Sequence, residues 1–201
     1  MELKIFIVLF CTLFTGGHSL KCYECSGIMG SCERVKETTC MGTARCASTT
    51  SVVFTGGPGV KKQYKGCEVK ASCINASVNN GIVRTVTSSQ CCNTDLCNNK
   101  DAPDSSSNSP NGKQCYYCDG QSCFNKINCL GTEDSCYKAT ETVGSPTFKG
   151  CMSKSVCDAS QLTEDYTSFS CCQGNLCNGA KSVTQNLLFL FWPLFFFILI
   201  H

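Results

Sequence analysis

The sequence predicts an all-β, small, disulfide-rich protein of two domains in tandem. Three observations carry that prediction. There are 21 cysteines in 201 residues, above the roughly 8–10% that marks a disulfide scaffold. Twenty of them fall into two sets of ten with the same order. Between the cysteines run short β-branched segments broken by Gly, Pro and Asn, the pattern of hairpins rather than helices.

The chain opens on Ile5–Phe14, a run of ten that is apolar except for Thr12, followed by Gly17-His18-Ser19. An apolar core with small residues after it reads as a secretory signal peptide over 1–19, cleaved after Ser19. Secretion places the cysteines where they oxidise, and an even number there means bridges rather than thiols. At the other end Leu187–Ile200 is fourteen apolar residues interrupted only by Pro193, with His201 after it. As a helix this stretch reaches about 21 Å, short of the ~30 Å hydrocarbon core. Small residues Asn178-Gly179-Ala180 and a polar spacer, Lys181–Asn186, precede it. Small site, spacer and apolar tail form a glycosylphosphatidylinositol attachment signal over 179–201, with Gly179 or Asn178 as the lipid site.

The first set is Cys22, Cys25, Cys32, Cys40, Cys46, Cys67, Cys73, Cys91, Cys92 and Cys97; the second is Cys115, Cys118, Cys123, Cys129, Cys136, Cys151, Cys157, Cys171, Cys172 and Cys177. Both open C-Y-x-C, both carry a glycine before the sixth cysteine (Gly66, Gly150), and both close C-C-x-x-x-L-C-N. This is an internal repeat. Within the first unit Ala47–Phe54 is rich in Thr, Ser and Val, Thr55–Gly59 supplies a turn, and Val60–Lys65 returns. Val78–Gly81 is a second turn, leading into Ile82–Thr87. In the second unit Tyr137–Val143 turns at Gly144-Ser145-Pro146 and returns through Phe148. Residues 99–113, with Ser, Asn, Pro and Gly prominent, read as a flexible, solvated linker. No segment between the two apolar ends shows a helical period. Cys91 and Cys92 are adjacent, their Cα atoms ~3.8 Å apart, so they face different partners. Spacing alone leaves the other pairings open.

The ordered cysteines, the C-Y-x-C openings and the C-C-x-x-x-L-C-N closures resemble the lymphocyte-antigen-six/urokinase-receptor domain, a branch of the three-finger snake-toxin fold. The resemblance covers 20–98 and 114–178, and implies two three-finger domains in tandem. It implies bridges Cys22–Cys46, Cys25–Cys32, Cys40–Cys67, Cys73–Cys91 and Cys92–Cys97 in the first domain. In the second it implies Cys115–Cys136, Cys118–Cys123, Cys129–Cys151, Cys157–Cys171 and Cys172–Cys177. The asparagine that closes each unit, Asn98 and Asn178, is expected to tie the last loop to the core. That role favours Gly179 over Asn178 as the lipid site.

Function is bounded by what remains after processing. The histidines, His18 and His201, lie in the removed ends, so there is no Ser-His or Cys-His pair and no histidine metal site. With the cysteines bridged there is no thiolate. Glu133 and Asp134 read as solvated loop residues. No catalytic residue, metal or cofactor is expected, nor a nucleic-acid or small-molecule partner. Asn75-Ala76-Ser77 is an N-glycosylation sequon. Leu20–Asn98 carries nine Lys/Arg and five Asp/Glu, and Gln114–Asn178 four and seven, so a basic domain precedes an acidic one. Lys62 and Tyr64 on the long second finger are the candidate ligand contacts, since Tyr beside basic groups on an exposed ribbon suits recognition of a protein. The resemblance implies a lipid-anchored surface module binding an extracellular protein. The alternative it leaves is an inhibitor or modulator of a neighbouring receptor, of complement or of phospholipase.

Overall fold

The computed structural model describes residues 19–28, 32, 34–140, 146–160 and 168–179. The expected signal peptide, but for Ser19, the turn expected at Gly144-Ser145 and everything from Ala180 onward lie outside these residues.

Eleven strands make up almost all of the described regular structure. The first domain contributes three hairpins. β1 (Leu20–Ile28) pairs with β2 (Lys36–Cys40), β3 (Arg45–Phe54) with β4 (Val60–Glu68), and β5 (Ala76–Asn79) with β6 (Arg84–Cys92). The second domain contributes β7 (Pro110–Tyr117) with β8 (Asn125–Leu130), β9 (Ser135–Thr140) with β10 (Thr147–Met152), and β11 (Ser168–Cys172). Each domain is a three-finger unit. In the second domain's third finger a short helix, α1 (Lys154–Ser160), takes the place of a strand. The expectation of no helix is corrected there: two turns of helix tethered through Cys157 to Cys171 are too brief for an apolar period to register.

Apolar residues are scarce in both cores, and sulfur replaces them. Cys22, Cys40 and Cys46 are buried together in the first domain, and Cys115, Cys129, Cys136 and Cys151 in the second. Ten bridges are present among the described residues. In the first domain they join Cys22–Cys46, Cys25–Cys32, Cys40–Cys67, Cys73–Cys91 and Cys92–Cys97. In the second they join Cys115–Cys136, Cys118–Cys123, Cys129–Cys151, Cys157–Cys171 and Cys172–Cys177. Domains this small bury too little apolar surface to fold on their own, and cross-links supply the difference.

Nine strands form one sheet that crosses the domain boundary, in the order β11-β9-β10-β5-β6-β3-β4-β1-β2, while β7 and β8 pair only with each other. In the first domain the far part of β1 covers the edge of β4, Cys25–Ile28 against Lys62–Lys65. β7 stops at Tyr117 and leaves the edge of β10 open. β5 of the first domain takes it, with Val78 opposite Met152 and Asn79 opposite Cys151. An open strand edge is a row of unpaired amides and carbonyls, and joining two such edges satisfies both.

The stretch 99–113 is not the free linker its composition suggests. Ala102 is 2% exposed, with its amide on Ser48 Oγ at 3.0 Å and its carbonyl accepting from Thr50 Oγ1 at 2.6 Å. Asp101 meets Lys65 at 3.0 Å, Ser105 meets Ser88 at 2.6 Å, and β7 already begins at Pro110. Ser and Asn can be solvated, but here they find polar partners on the Ser/Thr-rich face of the interior strands β3 and β6, which composition alone does not reveal.

Candidate functional site

The second finger projects β3 and β4 with Thr55–Gly59 at its tip. Alternation places Lys62 and Tyr64 on one face of β4, both exposed, and Gln63 and Lys65 on the other, both buried. The buried face is covered by the connecting segment: Lys65 Nζ donates to Asn99 O at 2.7 Å and pairs with Asp101. Tyr64 leans over Gly66, whose hydrogen side chain leaves room for the phenol. Burial of the ring, then Glu68 and Glu24, push its pKa above the ordinary tyrosine value. Around it Glu24, Ser26, Arg34 and Lys36 line a shallow hollow of about 380 Å³. The structure therefore brings Lys62 and Tyr64 together on an open face.

The joint between the domains centres on two residues that sequence patterns do not single out. Glu133 is 0% exposed, which corrects its reading as a solvated loop residue. Its carboxylate accepts from Arg84 Nε at 2.5 Å, Ser77 Oγ at 2.9 Å, Asn79 Nδ2 at 3.3 Å and the Leu130 amide at 2.9 Å. Three of these donors come from the first domain. Arg84 uses its remaining nitrogens on the connecting segment, Nη1 to Asn108 Oδ1 at 2.9 Å and Nη2 to Ser107 O at 2.8 Å. Its guanidinium also lies 5.5 Å from the centre of the Phe54 ring. A buried charge is tolerated only when paired and fully hydrogen-bonded, and these two meet that condition together. A lone Glu in Gly-Thr-Glu-Asp carries no sign of this, because its partner lies 49 residues away in the sequence.

Beside the joint the domains enclose a cleft of about 500 Å³. Asn80 and Ile82 of the third finger form one wall; Asp119, Ser122, Phe148 and Lys149 contribute to the other. Ile82 and Phe148 are among the large apolar side chains left exposed. The amides of Ser122 and Gln121 hold the Asp119 carboxyl below the usual carboxylate range. Gly81, in the left-handed region at φ 86°, packs against the Tyr117 ring across the joint.

Asn75 stands exposed just before β5, its Oδ1 accepting from the Ser89 amide at 3.1 Å. Its carbonyl takes the hydroxyl of Ser155 from α1, and the hydroxyl of Ser77, the third residue of the sequon, is committed to Glu133. Asn98 and Asn178 hold equivalent seats. Asn98 accepts from the Tyr23 amide at 2.9 Å and donates to Tyr23 O and Ala47 O, both at 2.8 Å. Asn178 accepts from the Tyr116 amide at 2.9 Å and donates to Tyr116 O at 2.8 Å and Tyr137 O at 2.9 Å. Gly179 follows on the surface of the second domain. Two cysteine triads, Cys22-Cys40-Cys67 and Cys115-Cys129-Cys151, have metal-like spacing. Each sulfur is already in a bridge and has no thiolate to offer.

Residues 18–100 match the u-PAR/Ly-6 domain, and residues 113–178 match the family of snake toxins and toxin-like proteins. The chain is 31% identical over 185 residues to the urokinase plasminogen activator surface receptor of Rattus norvegicus, covering 82% of this chain and 56% of that protein. It is likewise 31% identical over 180 residues to the receptor of Bos taurus, covering 79% and 54%. It thus spans about half the length of the curated relatives it matches. Mouse TEX101 overlaps with a TM-score of 0.31 at 18% identity, over 76% of this chain and 95% of that one.

Proposed function

The chain belongs to the u-PAR/Ly-6 and toxin-like three-finger family, and on that premise we propose that it is a cell-surface receptor module that binds an extracellular protein. The observation that carries this reading is the exposed face of the second finger. Lys62 and Tyr64 share that face of a ribbon fixed at its base by Cys40–Cys67 and Cys22–Cys46, with Arg34 and Lys36 of the first finger beside Tyr64. Side chains held on such a base lose little freedom on binding. Tyr and Arg are the residue types enriched at protein contacts, and basic groups around them speed encounter with an acidic partner. Attachment is through lipid at Gly179. No helix among the described residues is long and apolar enough to cross a membrane.

The test uses cells expressing the full chain. Phosphatidylinositol-specific phospholipase should release it from the intact surface. Proximity labelling should recover an extracellular protein whose capture falls at least tenfold with Lys62→Glu/Tyr64→Ala, while secretion and bridges persist. The lysine effect should lie mainly in the association rate and fade with salt. Unchanged capture by the double variant would exclude this face, and resistance to the phospholipase would exclude the lipid.

A further inference from the structure

The two domains repeat one buried lysine and differ in what answers it. Tyr64-Lys65-Gly66-Cys67 in β4 and Phe148-Lys149-Gly150-Cys151 in β10 hold equivalent places, and each lysine is only 5% exposed. Lys65 is satisfied by the chain that leaves its own domain, through Asn99 O and Asp101, one and three residues beyond Asn98. The second domain ends in the same way. Leu176 has the left-handed φ of 55° that Leu96 has, and Asn178 sits in the seat of Asn98. Gly179 follows Asn178 as Asn99 follows Asn98, and lies close against Tyr116, so that a Cβ there would stand 3.3 Å from the ring.

Lys149 faces the same ring. Its ammonium is 5.9 Å from the centre of Tyr116 and 5.4 Å from that of Phe124, and donates to Cys123 O at 3.3 Å. Its cross-strand neighbour is Lys138. No carboxylate meets it among the described residues; the ion pairs there join Lys65–Asp101, Arg84–Glu133 and Lys154–Asp158. Burial first, and Lys138 second, lower its pKa, as for a cation lacking compensation. In the sequence the position matching Asp101 is Lys181, a second cation, so the chain does not repeat the acid.

We infer that Lys149 is an anion site whose occupant is the ethanolamine phosphodiester of the lipid anchor, amide-linked to Gly179. The inference rests on the lipid reading above. In the attachment step the Gly179–Ala180 peptide bond breaks and the ethanolamine nitrogen forms an amide with the Gly179 carbonyl. The proton that nitrogen loses goes to the departing amine of Ala180, and nothing is oxidised or reduced. The Gly179 carbonyl then corresponds to that of Asn99, which Lys65 already grips. The ethanolamine nitrogen and carbons follow the backbone path of Lys100, and the phosphorus stands as many bonds from that carbonyl as the Cα of Asp101 does. A phosphodiester carries one full negative charge at neutral pH, so it can stand in for the carboxylate. A charge-assisted bond of this kind is among the stronger ones available. The anchor is thereby held against the second domain, giving the domain a set orientation on the membrane.

Full-length chain made in cells and released by phosphatidylinositol-specific phospholipase keeps the phosphodiester, so phosphorus NMR reads its environment directly. Mass spectrometry of the C-terminal peptide comes first. Absence of ethanolamine phosphate from the C-terminal peptide overturns the anchor reading and this inference with it, and its presence on a residue other than Gly179 overturns the inference alone. With the group present, the wild-type resonance should be broad, tumbling with the protein, and show a contact to the Lys149 ε protons. Lys149→Gln should narrow it severalfold, while Lys154→Gln, whose lysine is exposed, leaves it unchanged. A narrow wild-type resonance on a Gly179-linked phosphodiester overturns the inference alone, whether or not the variant is secreted.

Discussion

Arg84 and Glu133 bear on the whole molecule more than any other single residues. Removing one partner of a buried ion pair leaves an uncompensated charge, a loss of about 3–5 kcal/mol. Arg84→Met should therefore lower stability by about that amount in urea unfolding, and the double change with Glu133→Gln should fall well short of the sum of the singles. Additive losses would mean that the two act independently. Neither residue was legible in the sequence. Arg84 sits in a β-branched run that reads as a strand, and Glu133 in a turn whose composition reads as solvated. Their importance depends on a contact between two domains, which no local pattern encodes. Lys62 and Tyr64 were more accessible to sequence reasoning, because a period of two along a strand fixes which side chains share a face.

Among the elements, β5 and β10 decide how the domains meet. Gly150 is the close point: a Cβ there would run into the Asn79 carbonyl and the backbone of Asn80. Gly66, its counterpart, faces only the side chain of Tyr64. Gly150→Ala should thus part β5 from β10 while leaving all ten bridges intact. Hydrogen exchange is the readout. The Ser153 amide, now on Ser77 O at 2.9 Å, and the Ser77 amide, on Ser153 Oγ at 3.1 Å, should lose protection. Amides of the β3–β4 hairpin should keep theirs. Retained protection at Ser77 and Ser153 would show that the strand edges adapt. The hairpins themselves could be read from their turns, since Gly, Pro and Asn mark where a β-branched run reverses. The pairing of β5 with β10 could not, because an edge strand reads the same whether its partner is water or another domain. The helix α1 escaped for a different reason: at seven residues it spans too few turns to show a period.

At the scale of the molecule, the continuous sheet, the Arg84–Glu133 pair and the bonded connecting segment make the two domains one body. Composition argued for two beads on a flexible string, because Ser, Asn, Pro and Gly usually stay solvated. What composition does not contain is the polar sheet face those residues lie on: Ser48, Thr50 and Ser88 supply partners for Ala102 and Ser105, and Lys65 supplies one for Asp101. Backbone groups so engaged are poor protease substrates, since cleavage needs local opening. Under native conditions the segment from 99 to 113 should resist limited proteolysis, and NMR relaxation should return a single correlation time for both domains. Salt separates the possible causes. The first domain is basic and the second acidic, so a docking held by long-range attraction would loosen as screening shortens its reach to a few ångströms near 1 M. A docking held by a buried pair and paired strand edges is screened far less. One correlation time that persists in high salt, and splits in two with Gly150→Ala, assigns the joint to the strand edges and the buried pair. Two correlation times in the wild type at low salt would return the chain to independent domains and remove the shared cleft between Ile82 and Phe148.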